Sequence, residues 1–258
     1  MKKYLGLFLA GIIILTGMGC GTKAGPIGPQ GSTGASGPEG FEVSFQDGIS
    51  PSASYAGTSN TWLDASNPLT SHSGPASLRV AVGALSANYG RVLIKFDLSS
   101  LPQNAKILTA ALLLKTQTTT NLSSGVTYSI GVNDMDVPAM VSGGCTWTAS
   151  LANWNFYGAG TWGTCVTTPG AGFFRGYNFV AAPMDTVTFT SAANGTSKVY
   201  GWNLTPSVVQ AWISGPNDGL VIGSNSDSGE QTGNIDFYPN ADSTATNRPQ
   251  LIISYSIP

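Results

Sequence analysis

Arg79, Arg91 and Lys95 are the residues through which this chain could engage an acidic partner. In the run RVLIKFDL, residues 91–98, alternation puts Val92, Ile94, Phe96 and Leu98 on one face and Arg91, Leu93, Lys95 and Asp97 on the other. Arg79 is the outward residue of a similar stripe formed by Leu78, Val80 and Val82. Guanidinium groups grip carboxylates through paired hydrogen bonds, so three cations on one face suit a polymer of uronic acids. The same residues also fit a solvated face in ordinary surface ion pairs, for instance with Asp97.

Aromatic residues suggest a second kind of contact. Trp154, Tyr157 and Trp162 lie among Gly, Asn and Ser in an expected loop, where exposed rings could stack on sugars or simply pack the loop. Trp202 and Trp212 fall inside strand and helix patterns and read as core.

The remaining reactive side chains are few. Cys145 and Cys165 are an even pair once Cys20 is set aside, and a disulfide between them would contribute about 3 kcal/mol in the loop-entropy account. Two buried thiols are the alternative, and no further Cys or His completes a zinc site. Asn133, Asp134 and Asp136 read either as oxygen ligands for Ca²⁺ or as a strand-end turn, without EF-hand spacing. As a hydrolytic pair Asp134 and Asp136 are ill placed, since glycoside hydrolysis needs carboxyls set across a cleft. The only histidine, His72, sits in an expected loop and is assigned no role. No cofactor and no enzymatic activity are expected.

These residues need a β scaffold. The 258 residues include 33 Gly and 15 Pro, a load that helical bundles tolerate poorly. Only 9% of residues are charged and the formal charge is −2, which leaves no basic field for nucleic acid. The apolar run ILTAALLLK, residues 107–115, reads as a strand covered on both faces. Tyr128, Ile130 and Val132 alternate, as do Leu251, Ile253, Tyr255 and Ile257. One helix is expected: Thr205 caps it, Pro206 opens it, Val208, Val209, Trp212 and Ile213 recur at helical spacing, and Gly215 stops it. It would plug one end of a β-sandwich, with Asn217-Asp218-Gly219 turning into the next strand.

The first forty residues tell a different story. Met1-Lys2-Lys3 followed by an apolar stretch at residues 4–15 reads as an export signal, residues 1–19. Its end, LTGMGC, resembles a bacterial lipobox, which implies lipidation of Cys20. Gly21 and Thr22 then favour an outer-membrane or cell-surface location for the anchored protein. From Gly25 glycine recurs at 28, 31, 34, 37 and 40, the Gly-X-Y period of collagen. Residues 20–40 therefore read as a lipidated spacer, semi-rigid as a single chain or a stalk in a homotrimer.

Residues 41–258 form one expected domain. Within it RVLIKFDLSSLPQNAKILTAALLLK, CTWTASLANWNFYGAGTW, WNLTPSVVQAWISGPNDGLVIGS and RPQLIISY resemble the DNRLRE domain, also classed as carbohydrate-binding module family 96. The order of motifs matches over about residues 45–256 and departs around 157–177. The resemblance implies an all-β, jelly-roll sandwich with one short helix, acting as a non-catalytic binder of acidic polysaccharides such as alginate. Arg91 and Lys95 fall on the family's strand motif. The chain as a whole reads as a lipid-anchored polysaccharide binder, or else as a structural or adhesive surface protein made trimeric by its collagen-like segment.

Overall fold

Strands form where apolar side chains alternate, because a strand sends successive side chains to opposite faces and only one face need be apolar. The computed structural model describes residues 40–82, 89–135, 146–158, 160–162, 179–224 and 233–258. Cys20, Asp136, Cys145 and Cys165 lie outside them, as do the export signal and nearly all of the Gly-X-Y segment.

The elements are β1 (Gly40–Phe45), β2 (Thr58–Asp64), β3 (Leu78–Val82), β4 (Gly90–Phe96), β5 (Lys106–Lys115), β6 (Asn121–Leu122), β7 (Thr127–Asp134), β8 (Asp185–Thr190), β9 (Val199–Leu204), α1 (Pro206–Ser214), β10 (Leu220–Ser224), β11 (Gly233–Phe237) and β12 (Gln250–Ser256). The described residues therefore form an all-β fold with one α-helix. One sheet has the order β1-β12-β5-β9, a second β2-β4-β10-β7-β8, and a third, shorter one β3-β11-β6. Neighbouring strands are antiparallel throughout these sheets.

All three sheets turn apolar residues into one core. Phe45, Leu112, Leu251 and Ile253 come from the first sheet, Val92, Ile94, Ile130 and Ile222 from the second, and Leu78, Val80 and Phe237 from the third. Trp202 of β9 sits among them and donates its indole N–H across the layers to the Ile130 carbonyl of β7 at 2.9 Å. A buried indole so satisfied contributes its full apolar area without an orphaned donor.

Two expectations need correction. The outward residues of β5, from Lys106 to Lys115, are half-buried or exposed, so that strand is covered on one face only. Its continuous apolar run reflects Ala111 and Leu113 on a partly solvated face, not a second layer. Helix α1 buries Val209, Trp212 and Ile213 as the spacing requires, but Thr205 makes no side-chain capping bond. Pro206 at the helix start removes one of the N–H groups that would otherwise need a partner. The helix is pinned to the first sheet by Gln210, which accepts from the Ile107 N–H at 2.9 Å and donates to the Ala105 carbonyl at 3.0 Å.

Candidate functional site

The outer face of β4 is where the expected cations converge, and it is not open. Val221 of β10 stands opposite Leu93 of β4, Leu63 of β2 stands opposite Arg91 on the same face, and the three carry a second apolar cluster with Met135, Trp147, Trp154, Trp162 and Phe179. The segment 146–162 supplies most of this cover. Trp147 donates its indole N–H to the Asp218 carbonyl at 2.7 Å, and Trp162 donates to the Asn153 carbonyl at 2.8 Å. Asn153 in turn accepts from the backbone N–H groups of Asn155 and Phe156, which holds the loop in a tight turn.

Trp154 and Trp162 are therefore buried, and neither offers a ring face to a sugar. Tyr157 packs half-buried against the cluster, its ring tilted 5.9 Å from Trp162. The physical reason is the apolar character of Leu63, Leu93 and Val221. An outward leucine at the centre of a sheet needs a lid, and the indoles provide it.

The cover also encloses Arg91, which is 3% exposed. Its guanidinium carbon lies 5.1 Å from the ring centroids of Trp154 and Phe179 and 5.8 Å from that of Tyr89. Three aromatic faces around one cation compensate part of its dehydration, since such contacts strengthen as water leaves. Arg91 is a structural wedge here and not a surface contact. Arg79 belongs to the third sheet, where it forms a bidentate pair with buried Asp236, Nε to Oδ1 at 2.8 Å and Nη2 to Oδ2 at 3.0 Å. Its guanidinium also sits 5.8 Å from the Trp62 ring centroid. The three cations expected together thus have three different fates.

Lys95 alone among them faces a cleft. A cavity of about 390 Å³ opens between β4, the start of β2 and α1, lined in part by Lys95, Ser59, Asp97, Gln103, Trp212 and Asn217. The Lys95 ammonium lies 4.7 Å from the Trp147 ring centroid and donates to the Trp147 carbonyl at 3.1 Å, which marks the edge of the cover. Burial lowers its pKa, opposed by the charge of Asp218. Asn217 donates to the Phe96 carbonyl at 2.8 Å, and its own amide oxygen has no hydrogen-bond partner. One cation, the hydroxyls of Ser59 and Ser99, the Gln103 amide and an indole make a lining that can grip a polar ligand with an apolar face.

Ser59, Gln103 and Asn217 carry no motif that singles them out in the sequence. Trp212 was legible only as core, where most of it lies. The one available signal was the Asn217-Asp218-Gly219 turn directly after the helix.

Asn133 is buried, and a hydrogen bond from its amide nitrogen orients the side chain. Its amide donates to the Val180 carbonyl at 2.8 Å. Among the described residues, no three His, Cys, Asp or Glu side chains come together as a metal site. His72 stacks on Trp62 with centroids 3.9 Å apart, and its Nε2 lies 3.8 Å from Asp64. Burial lowers the His72 pKa, aided by Arg79 and opposed by Asp64. Asp64 is itself desolvated, yet hydrogen bonds from Ser66 and Asn67 outweigh that and hold its carboxyl below the usual range.

Compared with known proteins, the chain matches no family model and no curated sequence.

Proposed function

We propose that this chain is a lipid-anchored protein of the bacterial outer membrane or cell surface whose β domain, a jelly roll of the DNRLRE type, binds an extracellular polysaccharide without cleaving it. The cleft at Lys95 carries the reading. A carboxylated sugar fits it: the ammonium pairs the carboxylate, the Ser59 hydroxyl and Gln103 amide that line the cleft meet ring hydroxyls, and the Trp212 indole in its wall meets a C–H face. The surrounding protein excludes part of the water, so the same pair of charges attracts more strongly than it would on an open surface. Catalysis is not part of the proposal: among the described residues that line the cleft, Asp97 is the one carboxylate, and glycoside hydrolysis needs a pair.

The test is affinity electrophoresis of the full chain through gels containing alginate, pectin, xylan or cellulose, beside Lys95→Ala. Retardation by the acidic polymers that weakens with added salt and disappears in Lys95→Ala supports the reading. Equal migration of both proteins in every gel would sink it, and falling polymer viscosity would show an enzyme.

A further inference from the structure

At one end of the first sheet an amine, a carboxamide and a carboxylate stand in a row. Lys115 closes β5, and its ammonium donates to the Asn247 amide oxygen at 2.7 Å, from 132 residues away in the chain. The Asn247 amide nitrogen donates in turn to Asp242 Oδ1 at 3.1 Å. All three side chains belong to half-buried residues, and the Tyr238 ring centroid lies 5.9 Å from the lysine nitrogen. The backbone fixes this order. Gln250 of β12 pairs with Leu113 of β5, so the turn that precedes β12 falls beside Lys115. In that turn Ala245–Asn247 form a single 3₁₀ turn, the Asn247 N–H donates to the Thr244 carbonyl at 2.9 Å, and the Thr244 N–H donates to Asp242 Oδ1 at 2.9 Å. Arg248 adds bonds from Nε to the Asp242 carbonyl at 2.8 Å and from Nη1 to the Asp47 carbonyl at 2.9 Å.

An amine held this close to a carboxamide is placed for more than a hydrogen bond. With 2.7 Å from nitrogen to oxygen and a C=O bond of about 1.23 Å, Nζ lies about 3 to 4 Å from Asn247 Cγ, the separation from which reacting atoms approach. A rotation about the last lysine torsions carries it above the amide plane. We propose that Lys115 and Asn247 join in an intramolecular isopeptide bond, with Asp242 relaying the proton. The ammonium first gives one proton to solvent. The freed lone pair attacks Cγ, so that the Nζ–Cγ bond forms and the Cγ–Nδ2 bond breaks. The proton that Nζ then sheds passes through Asp242 to Nδ2, which leaves as ammonia. One amide replaces another, so no oxidant, reductant or co-reactant enters. Asp242 already holds Nδ2, which makes it the group placed to hand over that proton. The product ties the end of β5 to the start of β12, and β12 then cannot peel away from the sheet without a covalent bond breaking.

Intact mass spectrometry and peptide mapping of the full chain, incubated at neutral and at alkaline pH, test this. The wild type is expected to be lighter by one ammonia, and to become so faster at alkaline pH, where more of the amine is neutral. An asparagine that cyclises to a succinimide also loses ammonia, so the deciding readout is a branched peptide in which Lys115 is joined to Asn247. Lys115→Arg keeps the charge but carries a guanidinium that stays protonated, and should give no branch. Asp242→Asn keeps the shape without the relay and should form the branch about 100-fold more slowly. A wild type that keeps its β domain folded and yields no branched peptide after prolonged alkaline incubation would overturn the proposal. A branch that forms equally fast in Asp242→Asn would overturn the part given to Asp242.

Discussion

Replacing Trp162 with alanine distinguishes a lid from a sugar platform. The residue is fully buried and its indole N–H is bonded to the Asn153 carbonyl at 2.8 Å. Removing a large aromatic from such a site costs about 3–5 kcal/mol, and the freed carbonyl lies at the upper end of that range if water cannot reach it. For a domain of this size each kcal/mol moves the melting temperature by about 2–4 °C, so Trp162→Ala should melt about 6–20 °C below wild type. Trp162→Phe keeps most of the apolar volume and should recover more than half of the loss. Differential scanning calorimetry at neutral pH reads both. A solvent-facing ring would behave otherwise: truncation would leave stability within about 0.5 kcal/mol and abolish polysaccharide retardation. A Trp162→Ala protein that melts with wild type would therefore refute the account of the outer face as a second core.

Other substitutions probe the charges and the turn. Arg79→Ala strands Asp236, which is 0% exposed, and should cost about 2–3 kcal/mol, below the 3–5 of a fully buried pair because the Arg79 side chain is 40% exposed. Adding Asp236→Asn to it should restore part of that stability in urea unfolding. Gly219 has φ of +81°, and a Cβ there would sit 2.4 Å from the Ile94 carbonyl oxygen. Gly219→Ala should therefore cost at least about 2 kcal/mol and disturb Asn217 in the cleft, seen as weaker retardation at a temperature where the fold persists. Because the folded state depresses the His72 pKa, the unfolded chain binds the extra proton first as pH falls. Stability should thus be full above the ordinary value of 6.5 and decline as pH drops from there toward the lower folded value, with a slope of at most about 1.4 kcal/mol per pH unit. His72→Gln should flatten that decline in melting temperatures measured from pH 7.5 to 4.5.

The strands were legible because their signal is local. Val92, Ile94 and Phe96 alternate with Arg91, Leu93 and Lys95, and the first set enters the core as the spacing requires. The fate of the second set was not legible. Whether Leu93 meets solvent depends on Leu63 and Val221, its neighbours in space but distant in sequence, and on a loop that returns from residue 146. Gly, Asn and Ser around Trp154 and Trp162 marked that loop as surface, yet polar composition says only that the backbone turns. Where an indole points is decided by what lies beneath it. Arg79 failed in a related way. Nothing in residues 78–82 says which strand lies beside them, and β3 pairs with β11, where Asp236 stands opposite Arg79.

The boundary of the outer cover decides what remains for binding. Trp154 and Phe179 close over Arg91, while Trp147 reaches only as far as Lys95, so the next polar residue along the face is left at a cleft. A site defined by one cation and a few amides holds a single sugar residue weakly, because each solvated contact contributes little beyond the water it replaces.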